Sequence, residues 1–145
     1  MLSEGDPAPD FTLTTDSGES VTLSDLRGKP VVLYFYPRDD TPGCTKQACG
    51  IRDSWGQLHA TGAEIFGVSV DTGAAHQKFR AKYQLPFTLL ADPDRTLVDA
   101  YGVGREGSKA YARSTFVIDA EGNVAKVMRN VKPERHADQV LAALA

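Results

Sequence analysis

The chain has 145 residues and a formal net charge of −3, with 16 basic and 19 acidic residues interspersed along it. This length suits one domain with a substantial core, so we expect a single domain spanning residues 1–145. No basic cluster indicates nucleic-acid binding, and no apolar run approaches the ~20 residues that span a bilayer. The N-terminus lacks the basic and apolar regions of a signal peptide, so a cytoplasmic location is the default expectation.

The order of strand and helix patterns predicts an α/β fold. Two short alternating segments on either side of Asp16–Gly18 predict an N-terminal β-hairpin. Later apolar runs, rich in β-branched and aromatic residues, predict buried strands. In order, the predicted strands are Val31–Tyr36, Ile65–Val70, Phe87–Leu90, Arg113–Ile118 and Val124–Met128, and the predicted helices run from Pro42 to about Thr61, from Ala74 to Tyr83, from Leu97 to Tyr101 and from Pro133 onward. This pattern is typical of an α/β domain that starts with βα units and ends with a hairpin and a helix.

The stretch from Pro37 to Cys49 contains both cysteines of the chain and joins the first long strand to the first long helix. Thr41 is predicted to cap this helix, and Pro42 suits its first position because the missing N–H would have no partner there. Cys44 then lies in the first helical turn, where free N–H groups and the helix dipole favour a thiolate. In a reducing compartment, two cysteines this close in sequence indicate catalysis or redox activity rather than a permanent disulfide.

Other interpretations of the cysteines remain open at this point. Cys44 falls on the apolar face of the predicted helix, whereas Cys49 lies about 140° away, and both could be unrelated small apolar residues. A zinc site or a cysteine hydrolase would need histidines. The histidines, His59, His76 and His136, have no ligand-like spacing, and we expect all three on the surface.

The segment Pro37-x-x-x-Thr41-x-x-Cys44 resembles the active-site motif of the peroxiredoxins. The longer string YFYPRDDTPGCT, residues 34–45, is similar to the bacterioferritin-comigratory, or peroxiredoxin Q, group. Cys49 at C-x4-C spacing and the RSTF string that begins at Arg113 strengthen the resemblance, which covers nearly the whole chain. It implies a thioredoxin-like α/β fold with an N-terminal β-hairpin extension and a central mixed sheet flanked by helices.

The resemblance also implies an atypical 2-Cys, thioredoxin-dependent peroxidase. Cys44 would reduce hydrogen peroxide and organic hydroperoxides and become a sulfenic acid, and Cys49 would resolve it as an intramolecular disulfide. A thioredoxin-type protein would then reduce the disulfide. No metal or other cofactor is implied, and an intramolecular partner for Cys44 removes the need for a dimer, so we expect a monomer.

Substrate-binding roles follow from the same resemblance. Thr41 and Arg113 would hold the peroxide oxygens, Pro37 would shield the pocket, and the first helical turn at Gly43 would line it. These roles fit the chemistry, because charge shifts along S–O–O during the attack and donors are needed where it accumulates. Arg105 remains an alternative to Arg113. We expect Asp39 and its neighbour Asp40 to be solvated near the helix N-terminus.

Two other classes of protein compete with this interpretation. Thioredoxin-like dithiol-disulfide oxidoreductases use C-x-x-C and a cis-proline before a late strand, but this chain has C-x4-C and no proline between Pro93 and Pro133. A non-enzymatic module whose cysteines only sense oxidation is the second rival. The sequence favours the peroxidase over both.

Overall fold

The strands and helices lie close to their predicted positions in a computed structural model, which describes residues 2–144. The strands are β1 (Thr12–Thr15), β2 (Ser20–Thr22), β3 (Val31–Phe35), β4 (Glu64–Ser69), β5 (Thr88–Ala91), β6 (Ser114–Ile118) and β7 (Val124–Arg129). The helices are α1 (Pro42–Asp53), α2 (Trp55–Ala60), α3 (Gly73–Tyr83), α4 (Val98–Tyr101) and α5 (His136–Leu144), with 3-10 turns at Leu23–Leu26 and Pro133–Arg135.

The strands form one seven-stranded mixed sheet in the order β2-β1-β5-β4-β3-β6-β7. β3, β4 and β5 are parallel to one another, as expected for βα units, whereas β6 and β7 form the predicted antiparallel hairpin. The N-terminal hairpin extends the sheet, because β1 pairs antiparallel with β5. The mixed sheet and the N-terminal extension are therefore confirmed.

Strand β3 lies inside the sheet and supplies side chains to both of its faces. All five of its residues are buried, which explains why its sequence is a continuous apolar run. Leu33 and Phe35 enter one core, while Val32 and Tyr34 enter the opposite one, since successive side chains of a strand alternate. The second core also contains Cys44, so α1 lies over the same face of the sheet as Tyr34.

Two helices differ from their predicted lengths. The helix predicted to continue to about Thr61 breaks at Ser54, whose φ of −100° and ψ of 10° leave the helical range, and α2 follows. The C-terminal helix begins as a 3-10 turn at Pro133 and becomes α-helical only at His136. Within residues 2–144, no helix has both the length and the apolar character needed to cross a bilayer.

Candidate active site

Cys44 lies in the first turn of α1, as predicted, and the residue is 1% exposed. Cys49 is half-buried on the same helix, and both thiols are free. Cys49 lines an open groove of about 660 Å³ between α1 and the segment that begins at Pro133. The two cysteines therefore differ in access, because a protein partner can reach the groove beside Cys49 more easily than the buried Cys44.

Thr41 occupies the position before α1, but the prediction of a side-chain cap is wrong. In the described part of the chain its hydroxyl makes no bond to a helix N–H. The hydroxyl donates instead to the Arg38 carbonyl oxygen at 2.9 Å. Because a hydroxyl has one proton and two lone pairs, the Thr41 oxygen can serve a substrate in this geometry only as an acceptor.

Arg113 is the arginine that reaches the thiol. Its Nη1 lies 3.5 Å from the Cys44 Sγ. The residue comes directly before β6, whose Ser114 pairs with Phe35 at the end of β3, so the register carries Arg113 to the loop that starts α1. Arg105 lies in an exposed loop and bridges to Ser108. The register therefore places a positive charge beside the Cys44 sulfur.

Gly43 lets the guanidinium approach the helix. A Cβ at this position would lie 3.0 Å from the Arg113 Nη2 and 3.6 Å from the Pro133 Cγ, which is too close to the arginine for an ordinary contact.

Pro37 is half-buried in the loop between β3 and α1. Its shielding role stays a prediction.

A buried polar network, which the sequence did not predict, extends the site behind Arg113. Arg113 Nη1 donates to the Gln47 Oε1 at 2.7 Å, and the Gln47 Nε2 lies 3.2 Å from the His136 Nδ1. His136 Nε2 lies 2.8 Å from the Thr115 Oγ1, and Gln47, Thr115 and His136 are each 0% exposed. Gln47 follows Cys44 by three residues and so shares its helix face. This spacing was the one sequence signal that could have placed Gln47 at the site.

Two of the three histidines are buried, contrary to expectation. His136 lies under α1, where burial, together with the nearby charge of Arg113, lowers its pKa to about 3. His76 is also fully buried, whereas His59 is exposed as expected and stacks on Trp55. Neither burial was visible in the sequence, because each depends on elements far away along the chain.

The side chain of Asp39 is buried as well, so its predicted solvation is wrong. Its carboxylate accepts from the Tyr36 hydroxyl at 2.5 Å and lies 2.6 Å from the His76 Nδ1, with 6% of the side chain exposed. Its backbone N–H donates to the Asp71 carboxylate at 2.8 Å. Asp40, in contrast, is exposed as expected, and hydrogen bonds from Lys82 and Tyr83 lower its pKa. The loop before α1 is thus anchored to α3.

Asp39, Asp71 and His76 place ligand atoms within 4.8 Å of one another, a spacing that would suit a metal ion. These atoms are already engaged in hydrogen bonds. His76 Nε2 donates to the Leu90 carbonyl at 2.9 Å, and the Asp71 Oδ2 accepts from the Ser69 hydroxyl at 2.6 Å. We therefore assign the cluster an anchoring role.

Fold and site together define a thioredoxin-like α/β protein with a thiol at the start of its first long helix. Residues 4–127 match the AhpC/TSA family, and the chain belongs to that family. It is 51% identical to the putative peroxiredoxin bcp of Coxiella burnetii, with 99% of both chains covered. It is 46% identical to the chloroplastic peroxiredoxin Q of Suaeda salsa, covering 99% of this chain and 68% of that one.

Solved structures agree with this assignment. The peroxidoxin BcpB of Mycobacterium tuberculosis has a TM-score of 0.90 at 37% identity, covering 99% of this chain and 97% of that one. A cysteine-to-serine variant of Xylella fastidiosa peroxiredoxin Q has a TM-score of 0.93 at 32% identity, covering 99% of this chain and 96% of that one. The chain is accordingly a thiol-dependent peroxidase of the bacterioferritin-comigratory, or peroxiredoxin Q, group, and both rival classes are set aside.

Proposed function

We propose that Cys44 reduces hydrogen peroxide and organic hydroperoxides, that Cys49 resolves its sulfenic acid, and that a thioredoxin-type protein reduces the product. The observation that carries the proposal is the 3.5 Å contact between the Arg113 guanidinium and the Cys44 sulfur in the first turn of α1. That position combines a fixed positive charge with the free N–H groups of a helix start, so it stabilises the oxyanion that develops as the peroxide bond breaks.

In the first step, the Cys44 thiolate attacks the terminal peroxide oxygen and the O–O bond breaks. The attacked oxygen keeps its proton and becomes the sulfenic acid, while the other oxygen takes the electron pair, gains a proton from solvent and leaves as water or alcohol. Thr41 accepts a hydrogen bond from the terminal O–H, because its own proton is donated to Arg38. Arg113 and the N–H groups of the first turn stabilise the leaving oxygen.

In the second step, the Cys49 thiol attacks the sulfenic sulfur and water leaves. Cys49 is the only other thiol in the chain, and it lies on the same continuous helix as Cys44. A separation of five residues places the two Cα atoms about 8.6 Å apart on an α-helix. A disulfide needs about 4.4–6.8 Å, so α1 must unwind in part before the bond can form.

An NADPH-coupled assay with thioredoxin and its reductase tests the proposal. Cys44→Ser is expected to abolish peroxide consumption. Cys49→Ser is the matched control, because it should still form one equivalent of sulfenic acid but lose coupled turnover. Turnover by Cys44→Ser above a few per cent of the parent rate would contradict the assignment.

The arginine is tested separately. Arg113→Ala is expected to move the pH profile of Cys44 alkylation to higher pH and to slow sulfenic acid formation, because the charge beside the thiolate is lost. Arg113→Lys should restore only part of the rate, since an ammonium lacks the forked donor geometry. Arg105→Ala is the matched control and should leave both measurements unchanged. An unchanged Arg113→Ala variant would remove Arg113 from the mechanism.

Hydrogen exchange tests the proposed unwinding. Amides from Cys44 to about Trp55 are expected to lose protection when the protein is oxidised, whereas those of β3 should keep it. Equal protection in both forms, with the disulfide confirmed by mass, would show that no unwinding is needed.

The substrate range and setting are also proposals. One similar solved structure, the bacterioferritin comigratory protein of Xanthomonas campestris, is described by its alkyl peroxide reduction activity, which supports organic hydroperoxides as substrates. A monomeric single domain in a reducing, cytoplasmic compartment fits two thiols on one helix that need no second copy to pair. Sedimentation velocity of the reduced and oxidised protein is expected to show monomers in both states.

A further inference from the structure

We propose that His136, held neutral with its proton on Nε2, is a positioning residue that orients Gln47 and through it Arg113. The inference deepens the proposed function, because Arg113 is the residue that contacts the peroxidatic sulfur. It rests on the directions of three consecutive hydrogen bonds that join the half-buried Arg113 to three fully buried side chains, Gln47, His136 and Thr115.

Arg113 determines the direction of the first bond. A guanidinium has only donors, so the atom of Gln47 that lies 2.7 Å from the Arg113 Nη1 must be the carbonyl oxygen. The Gln47 amide nitrogen then points the other way, toward the His136 Nδ1 at 3.2 Å. A reversed amide would place two donors against each other at the guanidinium.

The amide in turn determines the state of His136. Because the Gln47 Nε2 donates, the His136 Nδ1 must be a bare acceptor, and the single ring proton lies on Nε2. That proton is donated to the Thr115 Oγ1 at 2.8 Å. A second proton on Nδ1 would face the amide N–H₂ and force Gln47 to turn away from Arg113.

Burial protects this arrangement over the working pH range. His136 is 0% exposed, and its ring makes a T-shaped contact with Tyr34 at a centroid distance of 5.2 Å. Burial and the charge of Arg113 together keep its pKa near 3. The titratable and charged groups that face it are Arg113 and Tyr34, and the pKa of Tyr34 is raised well above its usual value by burial. The imidazole therefore acts as a fixed acceptor and not as an acid or a base.

A two-bond proton–nitrogen correlation spectrum of the imidazoles tests the tautomer in the unmodified protein. The expected pattern for His136 is a protonated Nε2 and an unprotonated Nδ1, unchanged from pH 8 to about pH 5. A proton on Nδ1 within that range would overturn the proposal. This readout needs no peroxide, so its failure is distinguishable from a failure of the proposed catalytic role of Cys44.

Two variants test the consequence for Cys44. His136→Leu removes the acceptor, so the alkylation profile of Cys44 should shift to higher pH and the peroxide rate should fall by up to roughly a hundredfold. His136→Gln should restore much of the parental alkylation profile and of the peroxide rate, because its amide can accept a hydrogen bond from Gln47 and donate one to Thr115. If His136→Leu does not fold, the proposal is still tested by the Cys44 alkylation profile of His136→Gln and by the tautomer spectrum of the unmodified protein.

A matched control and a double variant separate positioning from packing. Val140 lies on the same helix and is 0% exposed, so Val140→Ala loosens α5 without touching the network. Val140→Ala should keep the parental alkylation profile. In a Gln47→Ala background, adding His136→Leu should have no further effect on that profile, because His136 acts through Gln47. A shift of the profile in Val140→Ala, or an additional shift in the double variant, would overturn the proposal.

Discussion

Replacing Gly50 by alanine is expected to slow formation of the Cys44–Cys49 disulfide. Gly50 follows Cys49 in α1, and a Cβ there would lie 3.8 Å from the Ala137 Cβ, an ordinary contact. Alanine is more favourable than glycine in a helix by about 1 kcal/mol. Since a tenfold change corresponds to about 1.4 kcal/mol, the unwound population of α1 should fall about fivefold. Disulfide formation through that population should slow by the same factor.

The assay is a peroxide pulse on the reduced protein, quenched at intervals and analysed by mass. Besides slower disulfide formation, Gly50→Ala should accumulate Cys44 sulfinic acid at lower peroxide concentrations, because the sulfenic acid survives longer. Gly56→Ala is the matched control, since Gly56 lies in α2 and, apart from its chain neighbours and the backbone of its own helix, no atom of residues 2–144 is within 4 Å of the new Cβ. Parental kinetics in Gly50→Ala, or equal slowing in both variants, would refute the view that opening of α1 limits resolution.

Three further outcomes are expected. Gly43→Ala should slow the peroxide reaction by up to about tenfold in stopped-flow measurements, because its Cβ would lie 3.0 Å from the Arg113 Nη2 and shift the guanidinium slightly. Tyr34→Phe should raise the free energy of unfolding in denaturant by about 1 kcal/mol, since the buried Tyr34 hydroxyl finds no hydrogen-bond partner within the described chain. The free energy of unfolding should also fall as the pH drops below 6.5, with His136 contributing about 1.4 kcal/mol per pH unit. The reason is that His136 becomes protonated near pH 6.5 in the unfolded chain but only at about pH 3 in the folded protein. His136→Gln should remove that part of the slope, and an identical slope in parent and variant would contradict it.

Local physics explains what could be predicted. The strand before Pro37, the helix that begins at Pro42 and the place of Cys44 in its first turn follow from apolar runs, a proline without an N–H and helical spacing. These signals act over a few residues, so their positions in the structure match the prediction closely. The exception is Thr41, whose hydroxyl donates to the loop carbonyl of Arg38 and accepts no hydrogen bond from a helix N–H within the described residues.

Local patterns carry no information on pairs that are distant in sequence. The local sequence predicts that Asp39 is a solvated loop residue, yet α3 brings the Nδ1 of the buried His76 within 2.6 Å of its carboxylate. Gln47 reads as a polar residue on a helix surface, yet α5 closes over it with His136. In each case the cost of burying a polar group is offset only by a partner from another element, and no local pattern reveals that partner.

By itself, the sequence determined the α/β order, the helix start and the thiol that belongs there, because backbone propensity, capping geometry and apolar periodicity are properties of neighbouring residues. Only the tertiary structure decided that Arg113 rather than Arg105 lies at the thiol, and that Gln47 and His136 stand behind it. The reason is the antiparallel register of β6 on β3, which pairs Ser114 with Phe35 and so carries Arg113 across 69 residues of chain to within 3.5 Å of the Cys44 sulfur.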